Sequence, residues 1–102
     1  MIDYIAAKSL AEKYLQFTQL TMGGLQLVLL ENETKEESFG WVFFYNSKEY
    51  IETGNLSFTL AGNAPFIIDK ITGEIYITGT AHPLEYYTAN YPKFVNLSKG
   101  SL

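Results

Sequence analysis

The chain has 102 residues, of which 47% are apolar, 16% aromatic and 18% charged, and it carries a net charge of -4 with a pI near 4.8. This balance fits one folded domain with a real core and excludes a disordered chain. No cysteine is present, which excludes disulfides, zinc–thiolate sites and thiol catalysis, and the seven Lys and Arg are too scattered to form a basic face for nucleic acid.

The first segment, MIDYIAAKSLAEKYL, carries charge throughout and reads neither as a signal peptide nor as a membrane span. The expected location is the cytoplasm. At about 100° per residue, Ala6, Ala7, Leu10, Tyr14 and Phe17 fall on one stripe and Lys8, Glu12, Gln16 and Gln19 on the other side. Asp3 fits an N-cap that accepts from the first free amides, and Met22-Gly23-Gly24 fits a helix stop. The spacing therefore predicts a helix from Asp3 to Met22.

From Gly24 the period changes to two. Leu25 to Leu30 reads as a strand, and the polar stretch ENETKEES (31–38) as a hairpin connection. Gly40 to Tyr45 is the next strand, with Trp41, Phe43 and Tyr45 on one face and Val42 and Phe44 on the other. Asn46-Ser47-Lys48 reads as a turn, Glu49 to Glu52 as a short strand, and Leu56 to Pro65 as a loop with room for one helical turn. Phe66 to Asp69 and Glu74 to Thr78 form a hairpin whose loop places Gly73 where a positive φ is needed. Pro83 opens a second helix, Leu84, Tyr87 and Tyr91 share one of its faces, and Pro92 ends it. Residues 96–102 read as a frayed tail.

The order is helix, four or five antiparallel strands, helix. It predicts a single α+β domain over residues 1–102, with the helices packed on the sheet. A strand apolar on both faces must be covered on both, or keep one face for a partner. Helices on opposite faces, a strongly curled sheet, or a second chain over the aromatic face would each satisfy it.

Chemistry is sparse. His82 is the only histidine, and beside Pro83 it reads better as a junction residue than as a general base or ligand. Glu31, Glu33, Glu36 and Glu37 crowd four acids into seven residues, without the spacing of a calcium loop. They read as a solvated tip or as an acidic docking patch for a basic protein surface. No Gly-x-Ser-x-Gly elbow or phosphate-binding loop is present. The expectation is a non-enzyme without cofactor or metal.

One ordered set of residues is more specific. Phe39-Gly40-Trp41-Val42-Phe43-Phe44-Tyr45-Asn46-Ser47, Glu52-Thr53-Gly54, Ala61-Gly62-Asn63-Ala64-Pro65, Asp69-Lys70 with Thr72-Gly73-Glu74, and Gly79-Thr80-Ala81-His82-Pro83-Leu84-Glu85-Tyr86-Tyr87 together resemble the immunity protein 35 family, also called YrhB-like. The resemblance implies a small α+β protein of bacterial polymorphic toxin systems that binds and neutralises a cognate toxin domain. The family brings no catalytic residues to carry over. Trp41, Gly62, Asn63, Pro65, Gly79, His82 and Pro83 then read as a structural signature. Partner contacts are expected outside it, at Glu33, Glu36, Glu37, Tyr50 and Glu52. A second reading is a chaperone-like protein that uses the aromatic sheet face to bind exposed apolar surfaces. Neither reading fixes whether the chain is a monomer or a homodimer.

Overall fold

The computed structural model describes residues 1–21, 24–54, 64–79, 82–89 and 91. The element order is α1 (Tyr4–Thr21), β1 (Leu27–Leu29), a 3-10 turn (Glu31–Glu33), β2 (Lys35–Glu37), β3 (Gly40–Phe43), β4 (Tyr45–Ser47), α2 (Lys48–Thr53), β5 (Phe66–Asp69), β6 (Ile75–Ile77) and α3 (Leu84–Ala89). The strands make a four-stranded antiparallel sheet in the order β2-β3-β5-β6 and a two-stranded one, β1-β4. This is the expected α+β architecture.

Helix α1 starts where its cap predicts. Asp3 Oδ1 accepts from the Ala6 amide at 2.9 Å, satisfying one of the donors that a helix start leaves free. Its buried seam is Ala7, Ala11 and Leu15, at spacings of four. Leu10 and Tyr14 flank that seam and pack on the core. The expected stripe is therefore rotated by part of a turn, and Phe17, expected inside, is 66% exposed. Small alanines line the contact because the helix lies close over aromatic strands. A 3.6-residue period alone does not favour alanine over phenylalanine as the seam.

Strand β3 is interior, paired with β2 on one side and β5 on the other. On one face Trp41 and Phe43 pack with Tyr45, Phe66, Ile68 and the α1 seam. On the other, Val42 and Ile67 pack with Tyr91, Phe39, Phe44, Tyr76 and Leu84. α1 and the α3 region thus lie on opposite faces. Both greasy faces of β3 are core, and Trp41 is only 5% exposed.

Three local expectations change. The polar stretch 31–38 is not one long hairpin tip. The turn is only Ser38 and Phe39, between the paired Glu37 and Gly40. Further down, Leu30 N donates to Phe44 O at 2.8 Å and Lys35 pairs with Val42. Residues 31–34 therefore stand opposite the single residue Phe43, and the surplus is thrown outward as the 3-10 turn, a bulge of unusual size. The expected turn at 46–48 and strand at 49–52 are instead the end of β4 and helix α2. Ser47 Oγ accepts from Tyr50 N at 3.1 Å as N-cap, and Gly54 closes the helix in the left-handed region at φ 69°. The helix wins because both of its ends are satisfied locally, whereas a strand at 49–52 has no neighbour to pair with among the described residues.

The β5–β6 hairpin forms as expected, with Gly73 at φ 74°. Asp69 Oδ1 accepts from the amides of Ile71 (2.8 Å) and Thr72 (3.0 Å), which folds the loop over its own carboxylate. The expected loop at 56–65 lies outside the described residues except for Ala64 and Pro65, and the tail at 96–102 lies wholly outside them.

Candidate interaction surface

Of the four acids, Glu31 and Glu33 belong to the surplus residues of the 27–47 hairpin, and Glu36 and Glu37 to the paired strand β2. Glu31 is tied back to α1. Lys8 Nζ lies 3.0 Å from Glu31 Oε2, and the Tyr4 hydroxyl donates to the same oxygen at 3.1 Å. The Lys8 ammonium, then the Tyr4 hydroxyl, hold the Glu31 carboxyl below its ordinary pKa. Glu33 is exposed, and no ion pair engages it among the described residues.

On β2 the side chains alternate. Glu36 lies across from Trp41, on the α1 face of the sheet, and Glu37 lies across from Gly40, on the opposite face. Lys70 reaches over to Glu36 Oε2 at 3.4 Å, with its ammonium 5.2 Å from the centroid of the Trp41 ring. Asp3, Tyr4, Glu31, Glu36, Trp41 and Lys70 share the walls of an open cleft of about 560 Å³. The acids expected as one patch therefore form a belt that passes from one face of the sheet to the other.

A second groove, of about 400 Å³, is walled by Val28, Leu29, Leu30, the 3-10 turn and Ile51 of α2. It brings Glu33 to the helix that carries Tyr50 and Glu52 on either side of Ile51. Glu52 is exposed and Tyr50 half-buried. Of the five residues expected to meet a partner, Glu33 lines this groove, Tyr50 and Glu52 are the chain neighbours of Ile51 on α2, and Glu36 and Glu37 lie on β2. The α2 contribution was legible in principle, since Ser47 and Gly54 bracket a six-residue helix at the N-cap and C-terminal positions. The meeting of Asp3 and Glu31 in one cleft was not, because only the fold brings α1 and the bulge together.

Of the signature residues, Trp41, Pro65, Gly79, His82 and Pro83 lie among the described residues. Trp41 is core. Pro65 O accepts from the Thr78 amide at 3.2 Å and from Thr78 Oγ1 at 2.6 Å, closing the sheet end of β5 and β6. Gly79 lies against the Tyr87 hydroxyl so closely that any Cβ would collide with it. His82 is exposed and stacks on Tyr86 with ring centroids 4.0 Å apart. Pro83 O accepts from the Tyr86 amide at 3.0 Å, in the first turn of α3. Gly62 and Asn63 lie outside the described residues.

A further anchor is one that sequence reasoning missed. Tyr91 is buried, stacks on Phe39 at 4.2 Å and donates its hydroxyl to Asp69 Oδ2 at 2.6 Å. Burial disfavours the charge on Asp69. The donors from Tyr91, Thr72 and Ile71 outweigh it and hold the carboxyl below its ordinary pKa. Burial first, then Asp69, push the Tyr91 hydroxyl far above the usual phenol value. Among the described residues no group of three His, Asp or Glu side chains gathers as metal ligands do, and no helix is long and apolar enough to cross a membrane.

No solved structure matches the chain. A protein of Escherichia coli (strain K12), called "Uncharacterized protein YrhB", is 42% identical over 91 residues, covering 89% of each chain. The family described as Immunity protein 35 matches residues 6–90, from the first turn of α1 to the end of α3, and so takes in every described strand. The covered aromatic strand, the bulged hairpin and the Asp69 turn are thus features of a member of the immunity protein 35 family.

Proposed function

We propose that this chain is a non-catalytic immunity protein of a bacterial polymorphic toxin system, acting in the cytoplasm by binding and blocking a cognate toxin domain. The observation that carries the reading is the family match over residues 6–90. The geometry supports it. Glu33 of the bulge and Ile51 of α2 line one groove on a paired hairpin, with Tyr50 and Glu52 next to Ile51 in the chain and Glu36 and Glu37 on β2. Fixed carboxylates on a chain of net charge -4 suit a partner with a basic surface. Tyr50 is half-buried, and tyrosine is among the residue types that anchor tight interfaces.

The chaperone-like alternative loses its platform. It needs the Trp41 face open, and α1 covers that face. The test is co-expression of the tagged chain with the toxin domain encoded beside it. Rescue of growth and recovery of one stoichiometric complex are expected. Recovery of many unrelated unfolded proteins, without rescue, would overturn the proposal.

A further inference from the structure

The two edges of the four-stranded sheet differ. β2 carries Lys35, Glu36 and Glu37, charges of the kind that keep an edge from pairing with other chains. β6, at the other edge, reads Ile75-Tyr76-Ile77 and has no charge. Its hydrogen-bond phase is fixed at both ends, because Asp69 N donates to Glu74 O and Thr78 N to Pro65 O. In an antiparallel ladder bonded and non-bonded pairs alternate. Tyr76 therefore bonds toward β5, while Ile75 and Ile77 turn their N–H and C=O groups outward. Among the described residues nothing takes up those outward groups.

A separate observation concerns side chains. Ile75 continues the row Trp41–Ile68, and Ile77 continues the row Phe43–Phe66, so both lie on the α1 face of the sheet. α1 covers β1, β3 and β5 and leaves Ile77 57% exposed. The flank of α1 nearest β6 carries Leu10 and Tyr14. Leu10 Cδ1 reaches the β5–β6 turn at Gly73, and the Tyr14 ring lies 4.6 Å from that of Phe66. Phe17 is the next residue along that flank, and it is exposed. The apolar stripe that sequence reading places in the core thus ends at an exposed residue.

We propose that β6 is the dimerisation edge of this protein: a second copy adds its own β6 antiparallel to Ile75–Ile77, about a two-fold axis at Tyr76. This register lets Ile75 exchange both bonds with Ile77 of the partner subunit, and the reverse, so every outward group is satisfied by its own copy. The same isoleucines meet across the axis, and Phe17 borders them from the flank of α1. Glu74 falls opposite Thr78 of the partner subunit, so no like charges face each other. For two chains each carrying -4, an uncharged edge is where approach is least opposed. The dimer does not depend on the immunity reading.

Sedimentation velocity over a concentration series of the full chain tests it. Wild type is expected at twice the 11.5 kDa chain mass. Ile77→Pro removes an outward donor without touching a β5 bond, and Ile77→Lys places a charge on the edge. Each is expected to weaken association roughly tenfold or more, with Trp41 emission and circular dichroism unchanged. Ile71→Lys, at the exposed hairpin turn away from the edge, leaves the dimer intact. If Ile77→Pro unfolds, Ile77→Lys carries the test, because that side chain stands in solvent. A wild-type monomer at the highest soluble concentration overturns the proposal. So do species larger than a dimer, or a dimer that survives a folded Ile77→Lys. A wild-type monomer whose β6 edge instead takes up a toxin strand is also against it.

Discussion

The contact between Tyr91 and Asp69 shows how much one side chain can organise. The aromatic ring fills the face of the sheet opposite α1, and its hydroxyl completes the donor set of a carboxylate already folded into its own loop. Tyr91→Phe keeps the ring and removes the donor. At neutral pH it is expected to cost about 1–3 kcal/mol of stability, since the lost hydrogen bond is to a charged group. The pH dependence has a definite sign. The folded-state pKa of Asp69 is depressed, so its contribution is complete above the unfolded value, about 3.9. It is lost as pH falls through the lower folded value. The stability gap between wild type and Tyr91→Phe should therefore shrink in acid. Urea titrations at neutral and strongly acidic pH check this, and an equal gap at both would refute it. Neither residue was assigned this contact from sequence. Asp69 read as a strand end and Tyr91 as a helix-face residue, and only the packing of Tyr91 on Phe39 brings their oxygens within bonding distance.

At the scale of elements, what was legible depended on whether a signal is local. Helix α1, its Asp3 cap, the alternation of β3 and the β5–β6 turn with Gly73 were all readable, because each is set by residues within a few positions of one another. The 3-10 bulge was not, since it exists only as a mismatch between paired strands. Helix α2 lies between these cases. Lys48 to Thr53 is too short to show a period, and Tyr50 and Ile51 suggest a strand. The bracketing Ser47 and Gly54 are the real signal. Ser47→Ala should then cost about 1–2 kcal/mol, because the cap hydroxyl is buried and accepts from Tyr50 N. Ser47→Asp, a good cap but larger and charged at a fully buried position, should be no better. Thermal or urea unfolding of the two variants decides this. A neutral Ser47→Ala would mean that packing of β4, rather than the cap, sets where the helix begins.

For the whole molecule the decisive property is where the charge sits. Family membership was readable from an ordered set of residues between Phe39 and Tyr87, but the interaction surface was only partly so. Sequence places Glu36 and Glu37 together, whereas the pleat of β2 sends them to opposite faces and Lys70 partly neutralises the first. Glu33 lines a groove that Ile51 of α2 also lines, and Glu52 is the next residue of that helix. Under the proposed function, this separates the roles of the acids in meeting a basic toxin domain. On that reading, exposed carboxylates such as Glu33 and Glu52 steer the encounter through the field that they add to a chain already at -4. Glu36, paired with Lys70, adds less. Reversing Glu33 and Glu52 together to Lys should lower the association rate about tenfold or more at low salt. The loss should narrow as ionic strength rises and the screening length falls to about 10 Å near 0.1 M. Reversing Glu36 alone should change the rate less, and its main effect should be local, through repulsion of Lys70. Stopped-flow association with the toxin domain at several salt concentrations separates these outcomes. If the double reversal leaves the low-salt rate unchanged, the partner does not approach by way of this groove, and the acids of the bulge serve only to keep the hairpin solvated.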